Sequence, residues 1–334
     1  MWFAAGRMKH TIIYFKKLQT EIPPIYRERS HIVTQRKLNS NSMTILDKLK
    51  QNKILLSDGA WGTFLQAKGL KPGECPELWN ITRRTEIIDI AESYLLAGSD
   101  IIETNSFGGS TFKLSQYGLG ERVSEINRAA AEISREAAGA NKHVAGSIGP
   151  TGKMLFMGDV TETELYNAFL EQAVALENGG ADIIIIETMS ALDEASLAVR
   201  AARENTKCIV IITMTFSKTP RGEYRTMMGV SPEEMVSSMK EAGAHVIGSN
   251  CGNGIADMIG IVKAIRTADK MIPVMIQANA GIPELIDGKT LFRETPEMMA
   301  SFVPDLIKAG ANIIGGCCGT TPEHIKAIGR VLGR

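Results

Sequence analysis

The feature that most constrains this chain is a strand-and-helix alternation that repeats eight times. Short runs rich in Ile and Val fall at residues 54–57, 100–104, 143–147, 182–187, 208–215, 245–249, 273–277 and 312–315. Apolar runs of this length without polar alternation are those of parallel strands covered on both faces. Between them lie amphipathic segments of helical length, including 85–97, 121–138 and 161–178. Thr161 with Glu164 and Ser231 with Glu234 have capping-box spacing, and Thr295 followed by Pro296 starts a helix in the cap-then-proline manner. Four helices stop at a glycine just before the next strand, in AGSD, GGAD, AGAH and AGAN. Eight such units predict an α/β fold, a single (β/α)8 TIM barrel, over residues 44–334; a doubly wound open sheet is the alternative.

Residues 1–43 differ from the rest. They hold eight Lys or Arg against two acids, with Pro23 and Pro24 in the middle. Such a leader suits an organelle transit peptide, or upstream residues not translated if Met43 is the true start. The whole chain, 334 residues with 44% hydrophobic content, is long enough for one large core. Its net charge of zero points away from nucleic acid. With no secretory segment, no apolar stretch of membrane-spanning length and five cysteines, the expected setting is a reducing cytoplasm.

In a barrel of this kind the functional groups stand at the C-terminal ends of the strands. Cys317 and Cys318 follow the last apolar run in GGCCGTTPEH, and Cys251 ends the run HVIGSNC. A lone cysteine is usually a small buried hydrophobe, the expectation for Cys208 in CIVIITM. Adjacent cysteines close a poor disulfide. Three thiols converging on one mouth instead suit Zn2+ with a fourth position open to substrate. An all-thiolate shell makes a weak Lewis acid toward carbonyls and favours a thiol substrate. The other strand-end groups are Asp58, Gly59, Glu103, Thr104, Asn105, Glu187, Thr188, Thr215, Asn250 and Asn279. This polar, acidic set suits a small amino acid that carries sulfur. Asp58 and Glu187 could hold its ammonium, and the backbone N–H groups of Gly59 and Ala60 its carboxylate. Asn279 could reach the metal through its amide oxygen. His324 follows the paired cysteines like a further ligand, but its place in the first turn of the closing helix speaks against that role. The stretch from Gly149 to Asp159, GPTGKMLFMGD, lacks a dinucleotide or P-loop spacing and reads as an apolar lip over the site.

DGAWGTFLQ, ETNSFGGS, GSIGPTG, the Glu187-Thr188 strand end, GSNCG, NAG at Asn279 and GGCCGTTPEHI together resemble the homocysteine S-methyltransferase family. Within it the likeness is to the branch that includes the homocysteine-binding barrel of cobalamin-dependent methionine synthase. The resemblance implies zinc held by Cys251, Cys317 and Cys318, with homocysteine sulfur in the open position and Asn279 able to occupy that position when substrate is absent. It places Asp58 and Glu187 at the amino-acid end of the substrate. Two departures bear on substrate fit: Trp61 stands where a smaller or unbranched residue is more usual, and Ala278 replaces the proline that commonly precedes the asparagine.

The expected reaction is methyl transfer to homocysteine, giving methionine. The chain ends soon after the closing helix, so the expected donor is methylcobalamin on a separate corrinoid protein, bound only in passing. The alternatives are S-methylmethionine, S-adenosylmethionine or betaine as donor, or a non-catalytic homocysteine-binding subunit of a corrinoid complex. A vicinal-dithiol redox protein would leave Cys251 idle.

Overall fold

A strand buried on both faces needs apolar side chains at every position, and the Ile-rich runs supply them. The computed structural model, which describes residues 44–286 and 289–334, makes strands of all eight. They are β1 (Leu55–Leu56), β2 (Ile101–Glu103), β3 (His143–Ile148), β4 (Ile183–Met189), β5 (Ile209–Met214), β6 (Val246–Gly254), β7 (Val274–Asn279) and β8 (Ile313–Gly316). The basic leader, residues 1–43, lies outside the described residues.

The strands pair in parallel, each with its chain neighbour from β2 to β8, and β8 returns to β1. Leu55 faces Ile313, and Ile314 faces Ile276. This is a nearly closed (β/α)8 TIM barrel. The seam between β1 and β2 is carried by acids. Asp100 donates its N–H to the Leu56 carbonyl at 2.7 Å and accepts the Leu56 N–H on Oδ2 at 3.0 Å. At the upper end Asp58 Oδ2 accepts the Glu103 N–H at 2.8 Å.

The Asp100 arrangement recurs around the barrel and explains the four glycine-stopped tetrapeptides. Asp182 exchanges the same two bonds with Val144, His245 with Val210, and Asn312 with Val274. The preceding glycines, Gly98, Gly180, Gly243 and Gly310, all have φ between +97° and +115°. Each tetrapeptide therefore ends a helix and fastens the next strand to the previous one.

Side chains alternate across a strand, so one parity lines the barrel interior. Leu55, Ile101, Ala145, Ile183, Ile185, Ile211, Val246, Met275 and Ile313 form that interior cluster, closed by Ile45 and Leu49 from helix α1 (Ile45–Lys50). Burying each large aliphatic contributes about 2 kcal/mol. Two residues further along the same parity, the lining becomes Ser57, Glu103, Ser147, Glu187, Thr213 and Gln277, all buried. The interior thus changes from apolar to polar toward the C-terminal ends.

The other parity packs on the surrounding helices: α2 (Arg84–Leu96), α3 (Val123–Ala138), α4 (Glu162–Asn178), α5 (Leu192–Asn205), α6 (Pro232–Ala242), α7 (Ile255–Ala268), α8 (Val303–Ala309) and α9 (Pro322–Val331). Both expected capping boxes form, Thr161 with Glu164 and Ser231 with Glu234, and Thr295 accepts the Met298 N–H. Among the described residues no helix is long and apolar enough to cross a membrane.

Candidate metal and substrate site

The three thiols meet because β6 and β8 run parallel on either side of β7, and each carries cysteine where it leaves the barrel. The Sγ atoms of Cys251, Cys317 and Cys318 lie within 4.8 Å of one another. Cys251 is 3.9 Å from Cys318, and Cys317 is 4.0 Å from Cys318. Strand β6 continues past the expected end, with a break in its register to β7 between Asn250 and Gly254. Cys251 sits in that break at φ +59°, a left-handed backbone that non-glycine residues rarely adopt.

The thiols titrate as one set. Cys317 and Cys318 donate toward Cys251 and hold its pKa down to about 3. The same interaction with Cys251 pushes Cys318 up to about 12 and Cys317 well above its ordinary value. Cys251 is therefore the thiol that ionises most readily, and a cation between the three would favour ionisation of the other two. A soft, thiophilic divalent ion fits this donor set.

Asn250, wholly buried, fastens the thiols to the polar layer. Its Oδ1 accepts the Thr188 N–H and the Thr213 hydroxyl, each at 2.8 Å. Its Nδ2 donates to Thr188 Oγ1 at 2.8 Å and to Glu187 Oε2 at 3.1 Å, and lies 3.9 Å from Cys317 Sγ. Thr188, like Cys251, is left-handed, at φ +63°. Asn279 reaches Cys251 through its side chain, and its Oδ1 is buried with no hydrogen-bond partner.

Below the thiols are three buried carboxylates. Burial pushes Asp58 up to about 6 and Glu187 up to about 7. Burial, then the charges of Glu187 and Asp58, raises Glu103 well above the usual carboxylate range. Asp58 accepts from Ser57 Oγ at 3.1 Å, from Trp61 Nε1 at 2.9 Å and from the Glu103 N–H. The Trp61 departure thus engages Asp58 directly. Glu187 accepts from Ser147 Oγ and Asn250, and Glu103 accepts from Gln277 Nε2 at 2.7 Å.

Other expected groups have different surroundings. Thr104 ties β2 to β3, its hydroxyl accepting the Ser147 N–H at 3.0 Å. Gly59 packs so tightly on Thr320 and Tyr94 that a Cβ there would stand 2.7 Å from Thr320 Oγ1. The Ala60 N–H, expected to be open to a carboxylate, donates to Thr320 Oγ1 at 3.0 Å. His324 is not beside the thiols. Its Nδ1 accepts the Thr321 N–H at 3.1 Å and its Nε2 lies 2.9 Å from the Glu294 carbonyl, so it caps α9. Cys208 is buried core, and Cys75 is buried against Glu77.

The family model described as homocysteine S-methyltransferase matches residues 55–332. The chain belongs to that family. Two curated relatives are similar to this family member: the methionine synthase of Mycobacterium tuberculosis, 30% identical over 85% of the chain, and that of Mycobacterium leprae, 28% identical over 87%. The chain spans about a quarter of their length, 25% in each case. Among solved structures, the homocysteine methyltransferase MmuM from Escherichia coli in its oxidised form has the same fold. It gives a TM-score of 0.69 at 22% identity, covering 86% of this chain and 97% of that one. Its metallated form also scores 0.69, over 84% and 96%.

Two features of the site were assigned no role from sequence, Asn250 and Glu103. The parity of the strands carried a signal for both, because Glu103 lies two residues beyond Ile101 and Asn250 four beyond Val246, on the interior face.

Proposed function

We propose that this chain transfers a methyl group to the sulfur of homocysteine, forming methionine, with Zn2+ held by Cys251, Cys317 and Cys318. The observation that carries this reading is the meeting of three thiols directly above a polar, carboxylate-lined layer in a family member. Zinc bound there would lower the pKa of a substrate thiol, so that its sulfur is a nucleophile at neutral pH.

The chain's own residues orient the acceptor. Asp58 and Glu187 are assigned to the ammonium of the amino acid, whose positive charge would favour their ionised forms. Thr104 and the Gly59 turn shape the wall on the β1 and β2 side and are assigned to the substrate's amino-acid end. Asn279 stands beside Cys251 with a free amide oxygen, suited to fill the substrate position and withdraw when the thiol arrives. Sulfur then forms the new S–C bond as the methyl carbon leaves its donor, and the barrel contributes position and charge.

We assign the donor as methylcobalamin carried by a corrinoid protein. Similarity to two methionine synthases supports this. So does the apolar character of the loops that follow the strands: Phe107, Met154, Phe156, Met157, Met227 and Leu285 are exposed there, more than a small donor needs. The stretch Gly149–Asp159 contributes three of them and is anchored by Glu194, which accepts the Thr151 N–H at 2.8 Å.

The test is methionine formation by zinc-loaded protein with homocysteine and, separately, free methylcobalamin, S-methylmethionine and betaine. Turnover with methylcobalamin alone is expected. Turnover only with a sulfonium or ammonium donor would overturn the assignment.

A further inference from the structure

We propose that Glu294 is a positioning residue for the three thiols: it fixes the span between Cys251 and the Cys317–Cys318 pair, and with it the affinity of the site for a divalent metal. This deepens the reading above and rests on its metal site.

Glu294 lies between β7 and the short helix Pro296–Ser301, which Thr295 caps, so its backbone is held by the start of that helix. Its three polar groups each go to a different strand exit. The N–H serves β7: it donates to the Ala280 carbonyl at 2.9 Å, next to Asn279, and the Ala280 N–H in turn donates to the Cys318 carbonyl at 3.0 Å. The carbonyl serves the chain that leaves β8. His324 Nδ1 accepts the Thr321 N–H, which leaves the proton on Nε2 to donate to the Glu294 carbonyl at 2.9 Å. The carboxylate serves β6, where Oε2 accepts the Ile255 N–H at 3.4 Å.

The carboxylate contact is the one that reaches Cys251. Helix α7 starts at Gly254, which has no side chain to cap it, and the Glu294 carboxylate stands where a Gly254 Cβ would be. Its charge faces the positive end of α7. Gly254 is three residues on from Cys251, so a shift there is passed to the thiol. Phe292, two residues before Glu294, lies over Gly319 so closely that no Cβ fits there, and Gly319 adjoins Cys318. The segment 292–294 therefore rests on the chain beside Cys251 and on the chain beside Cys318 at once. The thiols stand on two strands with a third between them, and contacts of this outer kind hold ligands at a metal's spacing.

The experiment is chelator competition for Zn2+ and Co2+ with full-length protein, together with the visible absorption of the Co2+ form, which reports ligand geometry. In Glu294→Ala, affinity for both metals should fall about 10- to 100-fold, the usual cost of losing an outer contact, and the Co2+ bands should move. Glu294→Gln keeps an acceptor oxygen and should stay within about 3-fold of wild type. Gly254→Ala strains no backbone, at φ −72°, and displaces only the carboxylate. It should lower affinity on its own, which serves if Glu294→Ala does not fold, and add nothing to Glu294→Ala. Thr161→Ala, which removes a capping box on α4 away from the thiols, is the control: it should cost stability yet hold both metals within about 2-fold of wild type. If Glu294→Ala or Gly254→Ala holds both metals as tightly as wild type, or Thr161→Ala loses as much affinity as Glu294→Ala, the role of Glu294 is overturned. Wild-type protein that binds neither metal would overturn the thiol site itself, and that failure is visible before any variant is made.

Discussion

Asn250→Ala tests the reasoning about the site most directly. The side chain makes four hydrogen bonds, to Thr188 N–H, Thr188 Oγ1, Thr213 Oγ1 and Glu187 Oε2. Truncation leaves the Thr188 N–H and the Thr213 hydroxyl without acceptors, at about 1–3 kcal/mol each. The hydroxyl can rotate, and Thr188 at φ +63° can relax once released, so both offsets lower the total. The expected loss is about 3 kcal/mol, within a range of about 2–5. With a urea slope of about 2–3 kcal/mol/M, the unfolding midpoint should fall by about 1–2 M. Zinc retention should fall as well, because Asn250 adjoins Cys251 and its Nδ2 faces Cys317. Asn250→Asp separates the contributions, since it keeps both acceptor bonds and replaces the donors with a charge facing Glu187. Its stability should lie between those of wild type and alanine at low pH and drop toward alanine as pH rises. A chelator competition and a urea titration measure both quantities. If Asn250→Ala unfolds within about 0.5 kcal/mol of wild type and holds zinc equally well, the site is not organised through this residue.

Other predictions follow from single observations. Cys317→Ala should lose stoichiometric zinc and methyl transfer together, read by metal analysis and a methionine assay. Cys251→Gly should lose zinc yet cost the metal-free protein less than about 1 kcal/mol by urea titration, because glycine suits φ +59°. Gly248→Ala should destabilise by about 3 kcal/mol or more, since a Cβ there would stand 1.8 Å from the Met275 carbonyl oxygen and force β6 from β7. Asp58 and Glu187, raised to about 6 and about 7 from 3.8 and 4.5, bind more protons folded than unfolded between about pH 4 and 7. The contribution of each therefore falls as pH rises through that window, by about 3 kcal/mol, and urea titrations of metal-free Glu187→Gln should show a flatter dependence of stability on pH.

The fold was legible because its signals are local. Burial on both faces makes a strand apolar throughout, a capping box lies within four residues, and a glycine marks its own helix end. All eight strands and both capping boxes were therefore readable. The tetrapeptides were only half readable. Their glycine is a local stop, but the bonds from Asp100, Asp182, His245 and Asn312 join strands more than 30 residues apart in sequence. His324 is the converse case. Its proximity in sequence to two cysteines offers a ligand, but its place in the first turn of the closing helix speaks against one, and the helix does turn it onto the Thr321 N–H and the Glu294 carbonyl.

The carboxylates show where sequence reading runs out for a physical reason. Asp58, Glu103 and Glu187 look alike as acids at strand ends, and only the hydrogen bonds made by the rest of the chain tell them apart. Two of those partners, Trp61 and Gln277, are separated from each other by more than 200 residues. Trp61 takes up an Asp58 oxygen, whereas Gln277 takes up one Glu103 oxygen and thereby aims the other. Alternation along the strands could have ranked Glu103 and Glu187 as interior, but it does not reach Asp58, beyond the end of β1, and could not have shown which donor each oxygen takes. That depends on donors contributed by distant strands, which is why substrate contacts were harder to read than the thiols. Three sulfurs that converge offer a donor set for a metal without any further partner, whereas a carboxylate is told from its neighbours only by the donors around it.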